Sequence, residues 1–381
     1  MATGALLPAL SVAACGDDGA TTGGADASGT ITVQIGGEEL ATNGLSFPMG
    51  SEVVISDGWA IHFDHVLVTV GKVWLSEDPD TAPADQSKTG DVVAEVDGPW
   101  AVDLAKLGSV SAAGGEGTAT PLTTIDSLNK KGGGGLSADE RYAFSYDLIG
   151  ASQSAAHVNF DDDDGAKAAY AAAVDAGCSV VYIGTATFKG ATCSSSDDTY
   201  DFDAIPKTVP FTLCFDTPSQ YLNCQNQENE GDPFPGEEYQ RGIPIKANAA
   251  SVAQLTIHMD HPFYSDVEHE PLLYFDQFAA QLVGAPADTE LTMDALAGVD
   301  PTALTDGNGA DLPWRSCDGI QLPDGTQRAF TSGSIPVGPS QDPAKGFRDY
   351  RDFVRYVQSA QGHLNGGEGL CYVKRGYPSP P

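Results

Sequence analysis

Apolar and polar residues alternate along much of this chain in short runs, broken by Gly, Pro, Asp and Ser. A period of two puts successive side chains on opposite faces of an extended strand. Such runs occur at Thr30–Ile35, Glu52–Ser56, Trp59–Leu75, Val92–Val96, Tyr142–Leu148, Ser179–Phe188, Thr208–Phe215, Ser251–Met259 and Leu272–Val283. Trp59–Leu75 is too long for an ordinary strand, so a bulge or break is expected near Gly71. Many short strands joined by irregular loops predict a mainly β fold, an antiparallel β-sandwich with a few short helices.

Two runs predict helix. Gly165–Ala176 is alanine-rich and stops at Gly177, a good helix-terminating residue. Phe347–Gln361 gathers Phe347, Tyr350, Phe353, Val354 and Val357 on one face and stops at Gly362. Asp300–Pro343 is rich in Pro, Gly and Asp and is expected to be irregular. The resulting organisation is a signal over 1–15, a flexible linker over 16–29, a sandwich over 30–285, and a helical, loop-rich C-terminal extension over 286–381.

The 381 residues carry 53 acidic and 19 basic side chains, a net charge of −34. That excess argues against nucleic acid and against direct adsorption to anionic lipid. No hydrophobic stretch after Cys15 reaches membrane-spanning length. The N-terminus has a short apolar run, Ala5–Ala14, that ends Val12-Ala13-Ala14-Cys15-Gly16. This resembles the lipobox of bacterial lipoproteins, in which small residues precede a cysteine that is lipidated. No Lys or Arg precedes Lys72, so the basic n-region of such signals is missing. The resemblance implies an exported, lipid-anchored protein of the cell envelope, touching membrane only through Cys15. It covers these residues alone and carries no activity.

Six further cysteines, Cys178, Cys193, Cys214, Cys224, Cys317 and Cys371, form an even set without any CxxC. In an exported chain they predict three disulfides, and nearest-neighbour pairing gives 178–193, 214–224 and 317–371. The last would close the C-terminal extension.

Candidate chemistry centres on histidine. Four of the seven histidines stand in two matching tetrapeptides, His62-Phe63-Asp64-His65 and His258-Met259-Asp260-His261. Each ends an alternating run with apolar odd positions. His62 with Asp64, and His258 with Asp260, therefore share a polar face. Imidazole with carboxylate is a zinc- or copper-type ligand set. If the two strands are neighbours, about 4.8 Å apart, these four side chains converge on one ion. A second arrangement uses His65 and His261 on the opposite face, completed by His157, Met259, Glu268 or His269; Met with His would favour copper. The bland alternative makes these residues solvated strand ends or core-edge histidines.

Weaker signals stand beside it. Asp161–Asp164 fails the calcium-loop spacing, because Phe160 and Ala171 occupy the outer ligand positions; an acidic helix N-terminus explains it better. Asp306–Asp311 is an oxygen-rich loop that makes calcium possible. His363 follows the second helix and is expected to cap or pack. Trp59, Trp74, Trp100 and Trp314 suggest core packing before a carbohydrate platform. The Trp59-x-x-His62 pairing resembles surface copper proteins with Trp-derived and His ligands, but it extends no further and carries no residue over. No GxSxG or HExxH occurs, so no catalytic residue is nominated and an enzyme is the lesser expectation. Three functions remain: an extracytoplasmic binder of zinc or copper, a sandwich module for polysaccharide or a surface protein, and a metal-dependent hydrolase.

Overall fold

The computed structural model describes residues 28–47, 55–317 and 346–376, apart from 139, 192, 196, 230, 248, 266 and 268–272. Cys15, most of the Glu52–Ser56 run, Glu268 and His269 lie outside the described residues. The fold is a β-sandwich of two sheets with few short helices.

The smaller sheet runs β17 (Gly362–Leu364), β14 (Ala250–Ile257), β1 (Ser28–Gly36), β5 (Thr118–Ile125), β4 (Val110–Ser111), with β6 (Leu136–Ser137) also on β1. The larger runs β15 (Leu291–Thr292), β11 (Thr208–Phe215), β9 (Val180–Phe188), β2 (Trp59–Ser76), β7 (Arg141–Leu148), β12 (Ser219–Leu222), β18 (Tyr372–Arg375). To it are added β3 (Val92–Asp103) on β2, β8 (Ala156–His157) on β3 and β13 (Ile243–Pro244) on β7. Most pairs are antiparallel. The exceptions are β1 with β14, β11 with β15 and β3 with β8, which are parallel. Residues beyond 285 return to both sheets through β15, β17 and β18, and Phe353, Val354 and Val357 join the same core as Ile31 and Val33.

Strand β2 shows how alternation and core fit together. Trp59, Ile61 and Phe63 point into the core, while His62 and Asp64 are exposed. At Asp64 the register with β9 slips, since Phe63 faces Gly184 and His65 faces Ile183. One extra residue reverses the phase, so Val66, Val68 and Val70 take over the core face. Leu67 turns to the other side, where it packs with Phe160, Ala166, Tyr170 and Ala173 beneath helix α2 (Asp164–Ala176). A second slip falls between Val70 and Lys72, around Gly71, as the strand length predicts.

Helix α2 is capped by Asp163, whose carboxylate accepts from the Ala166 amide, and it ends at Gly177 with a left-handed φ of 74°. The acidic run before it is thus a helix start. The run Leu272–Val283, expected as a strand, instead holds a short helix over Asp276–Ala279 and a 3-10 turn over Ala280–Leu282. Phe275 and Phe278 stack three residues apart, a helical spacing that the apolar content of the run masked. The expected helix at 347–361 is present and shorter, Tyr350–Gln358.

Three disulfides are present, and the nearest-neighbour pairing is corrected to Cys178–Cys214, Cys193–Cys317 and Cys224–Cys371. Strand pairing decides each. Cys178 and Cys214 flank the end of the β9–β11 ladder, where Phe215 faces Val180. Cys193 directly faces Cys317 in the ribbon of β10 (Cys193–Ser195) and β16 (Arg315–Cys317). Cys224 and Cys371 adjoin the β12–β18 pair, in which Leu222 faces Tyr372. Three disulfides fit an oxidising, extracytoplasmic compartment. Among the described residues no helix is long and apolar enough to cross a membrane.

Candidate metal centre

The two His-x-Asp-His strands are not neighbours. Strand β2 belongs to the larger sheet and β14 to the smaller, so the four-ligand site of His62, Asp64, His258 and Asp260 does not form. His62 and Asp64 lie 3.6 Å apart with side chains 66% and 54% exposed. The bulge at Asp64 turns His65 away from the apolar face. There its Nδ1 lies 2.8 Å from the carboxylate of Asp103, a buried side chain that also accepts from the amides of Val66 and Ala105. His157 stacks on Phe160 and pairs with Asp161. Trp59 is core, its indole N–H donating to Asp276, which in turn holds Arg315. Asp306 is occupied within its own loop, accepting from the amides of Asn308 and Ala310 and from the Tyr200 hydroxyl.

The second motif has a different setting. Ala253, Leu255, Ile257 and Met259 line the core, which fixes the phase of β14. Strand pairing ends at Ile257, and Pro262 starts a 3-10 turn over His261–Phe263. The turn swings His261 back beside His258, with ring centroids 5.3 Å apart. Its Nδ1 lies 3.1 Å from the carbonyl of Val357. A carbonyl only accepts, so Nδ1 carries a proton and the ring presents Nε2 to its other neighbours.

The third histidine comes from β17, where His363 faces Thr256 across the antiparallel ladder. Thr256 and His258 share a face two residues apart, so His363 is the diagonal neighbour of His258. Their rings stack with centroids 4.4 Å apart. Each of His258, His261 and His363 offers a nitrogen within 4.8 Å of the others, and among the described residues these three form the metal-ligating group. His363, expected to cap or pack, is buried and packed on His258, and sequence reasoning did not place it among the candidate ligands.

Two carboxylates face the cluster. The parallel register of β1 and β14 puts Gly36 beside Thr256. Two residues further, Glu38 sits beside His258, with Oε1 3.3 Å from Nε2. Asp260 approaches the other nitrogen, its Oδ1 3.7 Å from Nδ1. Among the described residues no Lys or Arg pairs with either carboxylate. Burial disfavours a charged His258, but the neighbouring carboxylates of Asp260 and Glu38 outweigh it and lift the imidazole to about 10. Burial likewise pushes Asp260 up, yet the imidazoles of His258 and His261 bring it below the usual carboxylate value. The two carboxylates therefore favour positive charge at His258.

The frame around it is rigid. The His258 amide donates to the carbonyl of Gln361 at 3.0 Å. The Tyr182 hydroxyl donates to Gln361 Oε1 at 2.7 Å and lies 3.2 Å from the His258 carbonyl. Such bonds fix the backbone that carries two of the three rings.

No protein family, curated protein or solved structure matches this chain. The chemistry must be read from these groups themselves. Three imidazoles with supporting carboxylates can bind a divalent transition metal. In tetrahedral zinc, bonds of about 2.0–2.1 Å set ligand atoms about 3.4 Å apart. The nitrogens of His258, His261 and His363 lie within 4.8 Å of one another.

Proposed function

We propose that this chain is an extracytoplasmic metal-binding protein that holds one zinc or copper ion on His258, His261 and His363. The observation that carries this reading is the convergence of three histidines from β14, its following turn and β17 onto one point, backed by two carboxylates with no basic partner among the described residues. A protonated His258 answers part of that charge without metal, and a divalent ion that displaces the proton answers both carboxylates. The role extends the chemistry expected of the His258-x-Asp260-His261 motif and leaves the first motif outside it. Lipid attachment at Cys15 would tether the protein to the envelope.

Elemental mass spectrometry on protein purified without a His-tag tests the reading. About one zinc or copper per chain is expected, lost in His261→Ala and His363→Ala and kept in His62→Ala. A metal-free protein that takes up neither ion at neutral pH refutes it. Tethering is checked separately: Cys15→Ala, expressed with a complete signal, should leave the membrane fraction, and retention there would sink the lipobox reading.

A further inference from the structure

We infer that Glu38 is the fourth ligand of this centre, which makes it a closed Zn2+ site of three histidines and one glutamate. The inference rests on the metal-binding reading above and extends it to coordination and metal identity. Glu38 and His258 are brought together by the parallel β1–β14 register, which also aligns Gly36 with Thr256. The Glu38 side chain is 8% exposed despite its charge, and its backbone has a φ of 56°, a left-handed conformation that non-glycine residues seldom adopt. Such strain persists where surrounding structure enforces it, and it concentrates at functional positions. Here it turns a carboxylate inward onto a histidine.

The spacing to His258 fits shared coordination, while the carboxylate stands outside the 4.8 Å group of His258, His261 and His363 and must close on it as the ion binds. Glu38 Oε1 and His258 Nε2 are 3.3 Å apart, close to the roughly 3.4 Å separating two ligands of one tetrahedral zinc. The gap between them is kept open by Gly367. A Cβ there would lie 2.7 Å from His258 Nε2 and 2.8 Å from Glu38 Oε1. Asp260, on the opposite nitrogen of His258, is then the outer carboxylate that orients the ring.

Charge and ligand type select the ion. With the His258 proton displaced by the ion, three neutral imidazoles, the two carboxylates of Glu38 and Asp260, and one divalent cation sum to zero; Cu+ would leave a buried negative charge, and Cu2+ balances it but prefers a tetragonal over a tetrahedral set. A carboxylate oxygen also suits Zn2+ better than Cu+. Four protein ligands leave no open position for water or substrate, so the centre serves metal capture or structural cohesion and not hydrolysis.

The test uses the mature, tag-free protein. Co2+ replaces Zn2+ as a spectroscopic probe, and Zn2+ affinity is measured by chelator competition for wild type, Glu38→Gln and Gly367→Ala. The wild-type Co2+ protein should show the intense visible bands of a four-coordinate site. Glu38→Gln should weaken Zn2+ binding by about 100-fold or more, beyond the roughly 10–100-fold typical of a lost outer-shell partner, and should change the Co2+ spectrum. Gly367→Ala should weaken binding while Glu38 remains. Tight Zn2+ binding with an unchanged Co2+ spectrum in Glu38→Gln overturns the inference and leaves the three-histidine reading standing. So does a wild-type spectrum of five- or six-coordinate Co2+, which decides the matter even if Glu38→Gln fails to fold. Failure of the wild type to bind either ion removes the underlying metal reading as well.

Discussion

The hydroxyl of Tyr146 yields a counter-intuitive prediction. Tyr146 and Tyr221 stack in the core with centroids 4.7 Å apart and planes 15° from parallel. Both are fully buried, but their hydroxyls differ. Tyr221 donates to the carbonyl of Ser359 at 2.8 Å. Among the described residues the Tyr146 hydroxyl has no hydrogen-bond partner; it rests against Gly362, where a Cβ would come within 2.3 Å. A buried, unsatisfied hydroxyl costs about 1–3 kcal/mol. Tyr146→Phe removes that penalty and leaves a void of about one hydroxyl, worth roughly 0.3 kcal/mol against it. The variant should therefore be more stable than wild type by about 1 kcal/mol or more. Tyr221→Phe breaks a made bond and should lose about 0.5–1.5 kcal/mol. The two isosteric changes should thus diverge by about 2 kcal/mol, or roughly 2–3 °C in Tm for a chain of this size. Denaturant unfolding with the disulfides intact, followed by near-ultraviolet circular dichroism, reads the difference as shifted midpoints at constant slope. A Tyr146→Phe protein destabilised by more than about 0.5 kcal/mol would refute the reasoning, because the hydroxyl would then have to be satisfied.

Zinc at 100 times its dissociation constant should stabilise the wild type by about 2.7 kcal/mol. In thermal unfolding His363→Ala should lose this increment and His62→Ala keep it; equal stabilisation of both variants would contradict the site. The Asp163 carboxyl is lowered to about 2 by the amide of Ala166 and then by Lys106. Its folded-state value lies below the unfolded one, so its contribution is present above about pH 4 and fades as pH falls toward 2. The stability gap between wild type and Asp163→Asn should narrow over that window, and a gap constant from pH 6 to pH 2 would count against it. The Cys178–Cys214 bridge spans a sequence separation of 36, so its removal in a double Cys→Ala variant should cost roughly 4 kcal/mol. An unchanged denaturation midpoint would show that the bridge contributes nothing. The unreduced, denatured mature protein should titrate no free thiol.

Local patterns proved legible where their cause was local. The phase of β14 followed from Ala253, Leu255, Ile257 and Met259, and helix α2 from its alanines, its acidic start and Gly177. The slip at Gly71 followed from strand length. The slip at Asp64 did not, because the alternation of Phe63, His65 and Leu67 continues unbroken through it. Only the packing of Leu67 under α2 reveals that the faces have exchanged. The disulfides show the same division. Their even number was visible, but Cys193 meets Cys317 through a ribbon whose partners lie far apart in sequence. The candidate site mixes both cases. His258, Asp260 and His261 stood out as a motif, whereas Glu38 and His363 enter through the ladders β1–β14 and β14–β17. Neither residue carries a local signal, since a Glu pair after two glycines and a lone His after a helix are common. The duplicated motif itself misled, because repetition in sequence does not place two strands in one sheet.

The parallel pairing of β1 with β14 has a kinetic consequence. Glu38, the His258–His261 turn and His363 are separated by long stretches of chain, and each is delivered by a different strand of one sheet. A protein threaded outward from its N-terminus presents Glu38 early, the His258 turn much later and β17 after that. If the proposed ion binds as inferred, it would gain its full grip only on a chain that has emerged through residue 363 and closed the smaller sheet. Loading would then report completed folding, and an unfinished or misregistered chain would leave the ion to other binders.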